Sequence, residues 1–132
     1  MSRDPGLYLQ DIAESSGKIR MLVADLDLET FTEEWRVRDA VLHNLKVIGD
    51  AVRRLPQSFK ARQPQIPWPR LVGFRDVLAH AYFTLDDTIV WDMVQNEIEP
   101  LQQAATQLLA ELDGPASSIE KSINHEDGKT TK

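Results

Sequence analysis

Residues 35–56 read WRVRDAVLHNLKVIGDAVRRLP. Val37, Val41, Leu45, Ile48 and Val52 recur there at intervals of three and four, the repeat that places side chains on one face of an α-helix. Pro56 stops that helix, because proline donates no backbone hydrogen bond and crowds the preceding turn. Upstream, Thr30 and Glu33 have the spacing of a capping box, in which each side chain satisfies an orphan backbone N–H. The segment therefore predicts one amphipathic helix from about residue 30 to Leu55.

Three further helices follow from the same repeat. The first opens with Asp4 as N-cap and Pro5 in the first position, and turns Tyr8, Ile12, Ile19, Leu22, Val23 and Leu26 inward. Residues 56–66 (PQSFKARQPQI) carry two prolines among polar groups and read as an exposed basic loop. A short helix runs from about Pro67 to Phe83, with Leu71, Phe74, Leu78 and Ala81 inward. After the turn TLDD, a long helix runs from Thr88 to about Leu112, kinked by Pro100 and ended by Gly114 and Pro115. Short links between four amphipathic helices predict an all-α four-helix bundle. Its domain spans residues 1–114, and the Ser-, Lys- and Thr-rich residues 115–132 form a disordered tail.

Composition narrows the function. The 132 residues suffice for one domain, and 42% apolar with 27% charged residues is the balance of a globular protein. No apolar run is long enough for a membrane span or a signal peptide, and there is no cysteine for a disulfide, a thiolate metal site or a thiol nucleophile. A cytoplasmic protein without cofactor or metal is expected. The net charge of −6 opposes generic nucleic-acid binding, yet the signs are segregated along the chain. Residues 51–75 hold six basic side chains (Arg53, Arg54, Lys60, Arg62, Arg70, Arg75) and no acid, while residues 76–114 hold eight acids and no Lys or Arg. This reads either as solvated helix faces or as a local basic patch on an acidic molecule.

No phosphate-binding Gly-rich loop or paired metal motif occurs, so the histidines are the remaining handles. His125 falls in the tail, and His43 lies among apolar residues of the second helix. His80 lies in RDVLAHAY, directly after the basic segment. At about 100° per residue, Asp76 and His80 share a helix face, so the carboxylate can orient the imidazole. Arg75 is about 140° away but its side chain is long enough to swing toward the histidine. A guanidinium grips a phosphate bidentately, and an imidazole passes protons near neutral pH, so the pair suits phosphodiester cleavage. In RNA the 2′-hydroxyl supplies the nucleophile, so that chemistry does not strictly require a metal. The same residues also suit a helix end that is simply capped and paired, and spacing leaves both readings open.

RDVLAHAY matches the R-x4-H-x-Y signature of HepT-type proteins, a branch of the HEPN superfamily. The agreement extends further: RDAVLHNLKVIGDAV resembles the family's second-helix pattern, IPWPRLVGFRDVLAHAYF with TLDDTIVW its third segment, and YLQDIAESSGKI its opening helix. The resemblance covers residues 7–112 and implies a homodimeric helical bundle with the Arg and His of both protomers in one cleft. It implies metal-independent RNA cleavage by a toxin whose antitoxin partner, a minimal nucleotidyltransferase of MNT type, transfers AMP onto the motif tyrosine. Carried over, Arg75 and His80 are catalytic and Tyr82 is modified. Asp50 fills the acidic position of the second-helix motif, Asp76 supports the site, Gly49 permits close helix contact, and Trp68 packs rather than stacks on a base. Arg53, Arg54, Lys60, Arg62 and Arg70 would form the RNA-binding patch. The alternative within the same resemblance is a noncatalytic HEPN module that binds a nucleotide or serves as scaffold for the nucleotidyltransferase.

Overall fold

A computed structural model describes residues 4–81 and 84–124. These are all-α: α1 Pro5–Val23, α2 Leu28–Glu33, α3 Trp35–Arg54, α4 Gln57–Lys60, α5 Trp68–Ala81 and α6 Asp87–Asn124. The four long helices are those the apolar repeat predicts, and the sequence missed the two short ones. α1 lies against both α6 and α3, and α5 packs chiefly on α3. The HEPN-type helical bundle expected from the sequence is therefore the fold observed.

The start of α1 follows its sequence signal, with the Asp4 carboxylate accepting from the Gly6 N–H at 2.9 Å and Pro5 in the first turn. The start of the second helical segment does not. Asp27, rather than Thr30, is the N-cap; its carboxylate takes the Thr30 N–H at 2.8 Å, which also lowers its pKa. A carboxylate three residues ahead of an exposed helix N–H accepts more strongly than a hydroxyl, so the helix begins earlier and breaks at Glu34 before α3 starts. The product is α2, a six-residue wedge whose Phe31 is fully buried, its ring centroid 5.2 Å from that of Trp91 on α6.

The expected inward stripes hold. Tyr8, Ile12, Ile19 and Val23 of α1, Val41, Leu45, Ile48 and Val52 of α3, and Leu71, Phe74 and Leu78 of α5 are buried, while Leu22, Leu26, Val37 and Ala81 are half-buried at the edges. From α6 the core receives Val90, Met93, Val94, Ile98, Leu101, Ala104, Ala105 and Leu108.

Residues 56–66 are less open than their prolines suggested. One turn of helix forms at α4, and Gln63 and Ile66 are buried. Trp68 closes this corner: its ring is buried and its Nε1–H donates to the carbonyls of Lys60 at 3.1 Å and Gln63 at 3.0 Å. That confirms a packing role. α6 runs through Pro100 and continues to Asn124, past the Gly114–Pro115 pair expected to end it. The bond lost at Pro115 is the one to the carbonyl of Glu111, an exposed residue whose carbonyl water can satisfy.

Ile98, fully buried on α6, tests the packing. Ile98→Ala should destabilise the domain by about 2–5 kcal/mol, seen as a lower urea midpoint with an unchanged slope.

Candidate functional site

The site is built where α5 crosses α3. A Cβ placed on Gly49 would lie 2.3 Å from the Cβ of Arg75, 2.9 Å from its Cγ and 3.2 Å from the Leu71 carbonyl oxygen. Only a hydrogen fits there, so Gly49 lets the backbone of α5 settle onto α3 at the level of Arg75. The stem of Arg75 then lies across α3, and its Nε–H donates to Asp50 Oδ1 at 2.6 Å. Both side chains are largely covered, at 23% and 29% exposure. A second carboxylate, Asp76, stands 3.5 Å from Arg75 Nη1. Asp50 thus occupies one of the five N–H donors of the guanidinium and orients the others.

This corrects two expectations. Arg75 swings toward α3 and not toward His80. Asp76 is ion-paired with Arg75, and among the described residues the His80 side chain has neither a hydrogen bond nor an ion pair. The cause is depth of burial: the half-buried guanidinium needs compensating charge more than an exposed imidazole does. His80 sits exposed in the last turn of α5, on the side facing away from the core. Tyr82 lies outside the described residues. The loop that follows is held from α3: Arg38 forms an ion pair with Asp87, and its Nη2 donates to the Leu85 carbonyl at 3.3 Å.

The basic segment divides. Arg62 pairs with Glu111, its guanidinium stacked on Phe59, and Arg70 pairs with Glu97 at 2.5 Å. Arg62 ties the α4–α5 connection, and Arg70 the first turn of α5, to α6, so the two charge blocks of the sequence meet at these two pairs. Lys60 is half-buried, and desolvation lowers its pKa. Arg53 and Arg54, in the last turn of α3, are exposed and make no ion pair among the described residues. His43, set aside in the sequence, is also exposed on α3. Among the described residues no three His, Cys, Asp or Glu side chains group closely enough to hold a metal ion. No helix there is long and apolar enough to cross a membrane.

The family model described as ribonuclease HepT-like matches residues 12–108. The chain belongs to the ribonuclease HepT-like family. It is 35% identical over 102 residues to "Probable ribonuclease HepT" of Thermococcus cleftensis, covering 77% of this chain and 93% of that protein. It is 31% identical over 112 residues to "Putative RNase MJ0127" of Methanocaldococcus jannaschii, covering 85% and 93%. No solved structure matches. The enzyme class expected from the sequence is the class of this HepT-like family, and the motif from Arg75 to His80 lies inside the matched region.

Two measurements test the site's construction. Gly49→Ala should cost roughly 1–3 kcal/mol in urea unfolding, because the methyl must displace the Arg75 stem and the backbone of Leu71. Glu97 tests the α5–α6 link: burial pushes its carboxyl above the ordinary range, Arg70 pulls it back, and its Oε1 is buried without a hydrogen-bond partner. A carboxyl raised by folding favours the protonated folded state, so stability falls as pH rises from its unfolded pKa through the raised folded value. Glu97→Gln should flatten that decline in urea midpoints measured between about pH 4 and 7.

Proposed function

We propose that the protein is a metal-independent RNA endonuclease that works as a homodimer, with Arg75 and His80 as catalytic pair, and is the toxin of a toxin–antitoxin system. The observation that carries this reading is the state of Arg75. It is a half-buried guanidinium, oriented by Asp50 and with unspent N–H donors, five residues along α5 from an exposed and unpartnered imidazole. A phosphodiester seated there would be gripped by Arg75 through its non-bridging oxygens. The His80 imidazole takes the proton of the adjacent 2′-hydroxyl, and that oxygen attacks phosphorus. The 5′-oxygen leaves with a proton from an imidazolium, giving a cyclic phosphate and a 5′-hydroxyl end. No bond in this sequence requires a metal.

The dimer rests on the outer face of α5. Gly73, Val77 and His80 are exposed along it, Val77 is 43% exposed, and a Cβ on Gly73 would meet nothing within 4 Å. A second copy laid on this face would enclose two His80 side chains in one cleft, which a single chain leaves open.

The partner is a nucleotidyltransferase antitoxin of MNT type, which transfers AMP from ATP onto Tyr82 and releases pyrophosphate. The nucleotide would bring bulk and negative charge to the place an RNA phosphate must occupy. Of the basic patch, Arg53 and Arg54 are the members best placed to meet phosphate, since Arg62 and Arg70 are already paired. That pairing, together with the net charge of −6, favours the second reading, a noncatalytic module in which Arg75 and His80 hold a nucleotide or the partner enzyme.

Purified protein incubated with end-labelled RNA in excess chelator separates the two. The wild type should cut, and His80→Ala and Arg75→Ala should each lower the rate by about a hundredfold or more while remaining folded dimers by circular dichroism and light scattering. Cleavage persisting in a folded His80→Ala dimer would remove the acid–base assignment. Coexpression with a cognate nucleotidyltransferase should add AMP mass to the peptide containing Tyr82 and none to the Tyr82→Phe variant.

A further inference from the structure

The ion pair between Arg75 and Asp50 identifies which face of α3 lies beside the reactive groups. With Asp50 as origin and about 100° per residue, Trp35, Arg36, His43, Lys46, Arg53 and Arg54 all fall within about 60° of it. All six are exposed, whereas Val41, Ile48 and Val52 on the opposite face are buried. From Arg36 to Arg54 this strip runs roughly 27 Å along the helix. Its four cations have no ion pair among the described residues, in contrast to Arg62 and Arg70. Of its two acids, Asp50 is neutralised by Arg75, and Asp39 is half-buried and already engaged. At the far end the Arg36 guanidinium stacks 4.9 Å from the centroid of the Trp35 ring, and that ring is 62% exposed.

We infer that this face of α3 is the track along which single-stranded RNA lies. Resting on the ribonuclease reading above, the inference gives that site its substrate register. Lys46 and Arg53 lie about one turn to either side of Asp50 and take the phosphates flanking the one held by Arg75. Trp35 offers its open ring to a base, with Arg36 stacked upon it. A row of unpaired cations ending in an exposed aromatic is the combination by which proteins hold single strands without reading their sequence. Duplex RNA is disfavoured, because an aromatic platform needs an unstacked base.

The test uses the His80→Ala dimer, which should hold RNA without cutting it, and a fluorescein-labelled uridine dodecamer followed by anisotropy. Adding Lys46→Glu should weaken binding about tenfold or more, and adding Lys46→Gln should lower the slope of log affinity against log salt by roughly 0.7. Trp35→Ala should weaken binding roughly tenfold and abolish most of the tryptophan quenching, since Trp68 is buried and Trp91 half-buried. Lys18→Glu, the same charge change on an exposed residue of α1, should bind like the parent.

Parent-like binding by both Lys46→Glu and Trp35→Ala would overturn the track, as would a parent that binds no RNA at any salt. A Trp35→Ala protein that loses its dimer mass in light scattering would assign this face to a second copy instead. RNA held along the strip by the parent but never cut by the wild type sinks the ribonuclease reading and leaves the track. Wild-type cleavage with unchanged KM in Lys46→Glu does the reverse.

Discussion

The contact between Gly49 and Arg75 sets the rest of the site. Two helices can approach until their side chains collide, and here the collision is removed by a residue with no side chain. Because α5 packs chiefly on α3, its rotation and depth are set at this crossing. That rotation lays the Arg75 stem across α3, brings the guanidinium to Asp50, and leaves His80 pointing outward. Any larger residue at position 49 would lift α5 and uncouple all three.

Electrostatics then separates two kinds of cation that look alike in the chain. Arg62 and Arg70 serve the fold, joining the connection before α5 and the first turn of α5 to Glu111 and Glu97 of α6. Arg38 does the same for the connection after α5, through Asp87 and the Leu85 carbonyl. The motif helix is thus tethered at both ends. Arg75 is partly spent on Asp50, and the cations of the exposed face of α3 are not spent at all. An acidic protein can present a basic strip when most of its carboxylates are occupied or face elsewhere, since at physiological salt a charge is felt over only about 8 Å.

Much of the architecture was legible because helices report themselves through a local repeat. The buried stripes of α1, α3 and α5 came from residue spacing, and the Asp4–Pro5 start came from capping chemistry. The misreadings share a cause: competition between neighbours that spacing does not rank. Thr30 and Glu33 have the spacing of a capping box, yet Asp27 is the cap and produces the separate wedge α2. Asp76 has the spacing to meet His80, yet it meets the half-buried cation beside it. Gly114 and Pro115 mark a helix stop, yet α6 carries through them to Asn124.

The amino-acid order by itself determined the helical class, the inward faces, the motif from Arg75 to His80 and the family to which it belongs. It even pointed to Gly49 as a place of close contact. Tertiary structure alone decided which acid each cation meets: Asp50 lies 25 residues from Arg75 in the chain, and Glu111 lies 49 from Arg62. The physical reason is range. Backbone hydrogen bonding and the apolar repeat act over three or four residues and are written locally. The partner of a long charged side chain is whatever packing brings within reach, and packing is settled by the whole core at once.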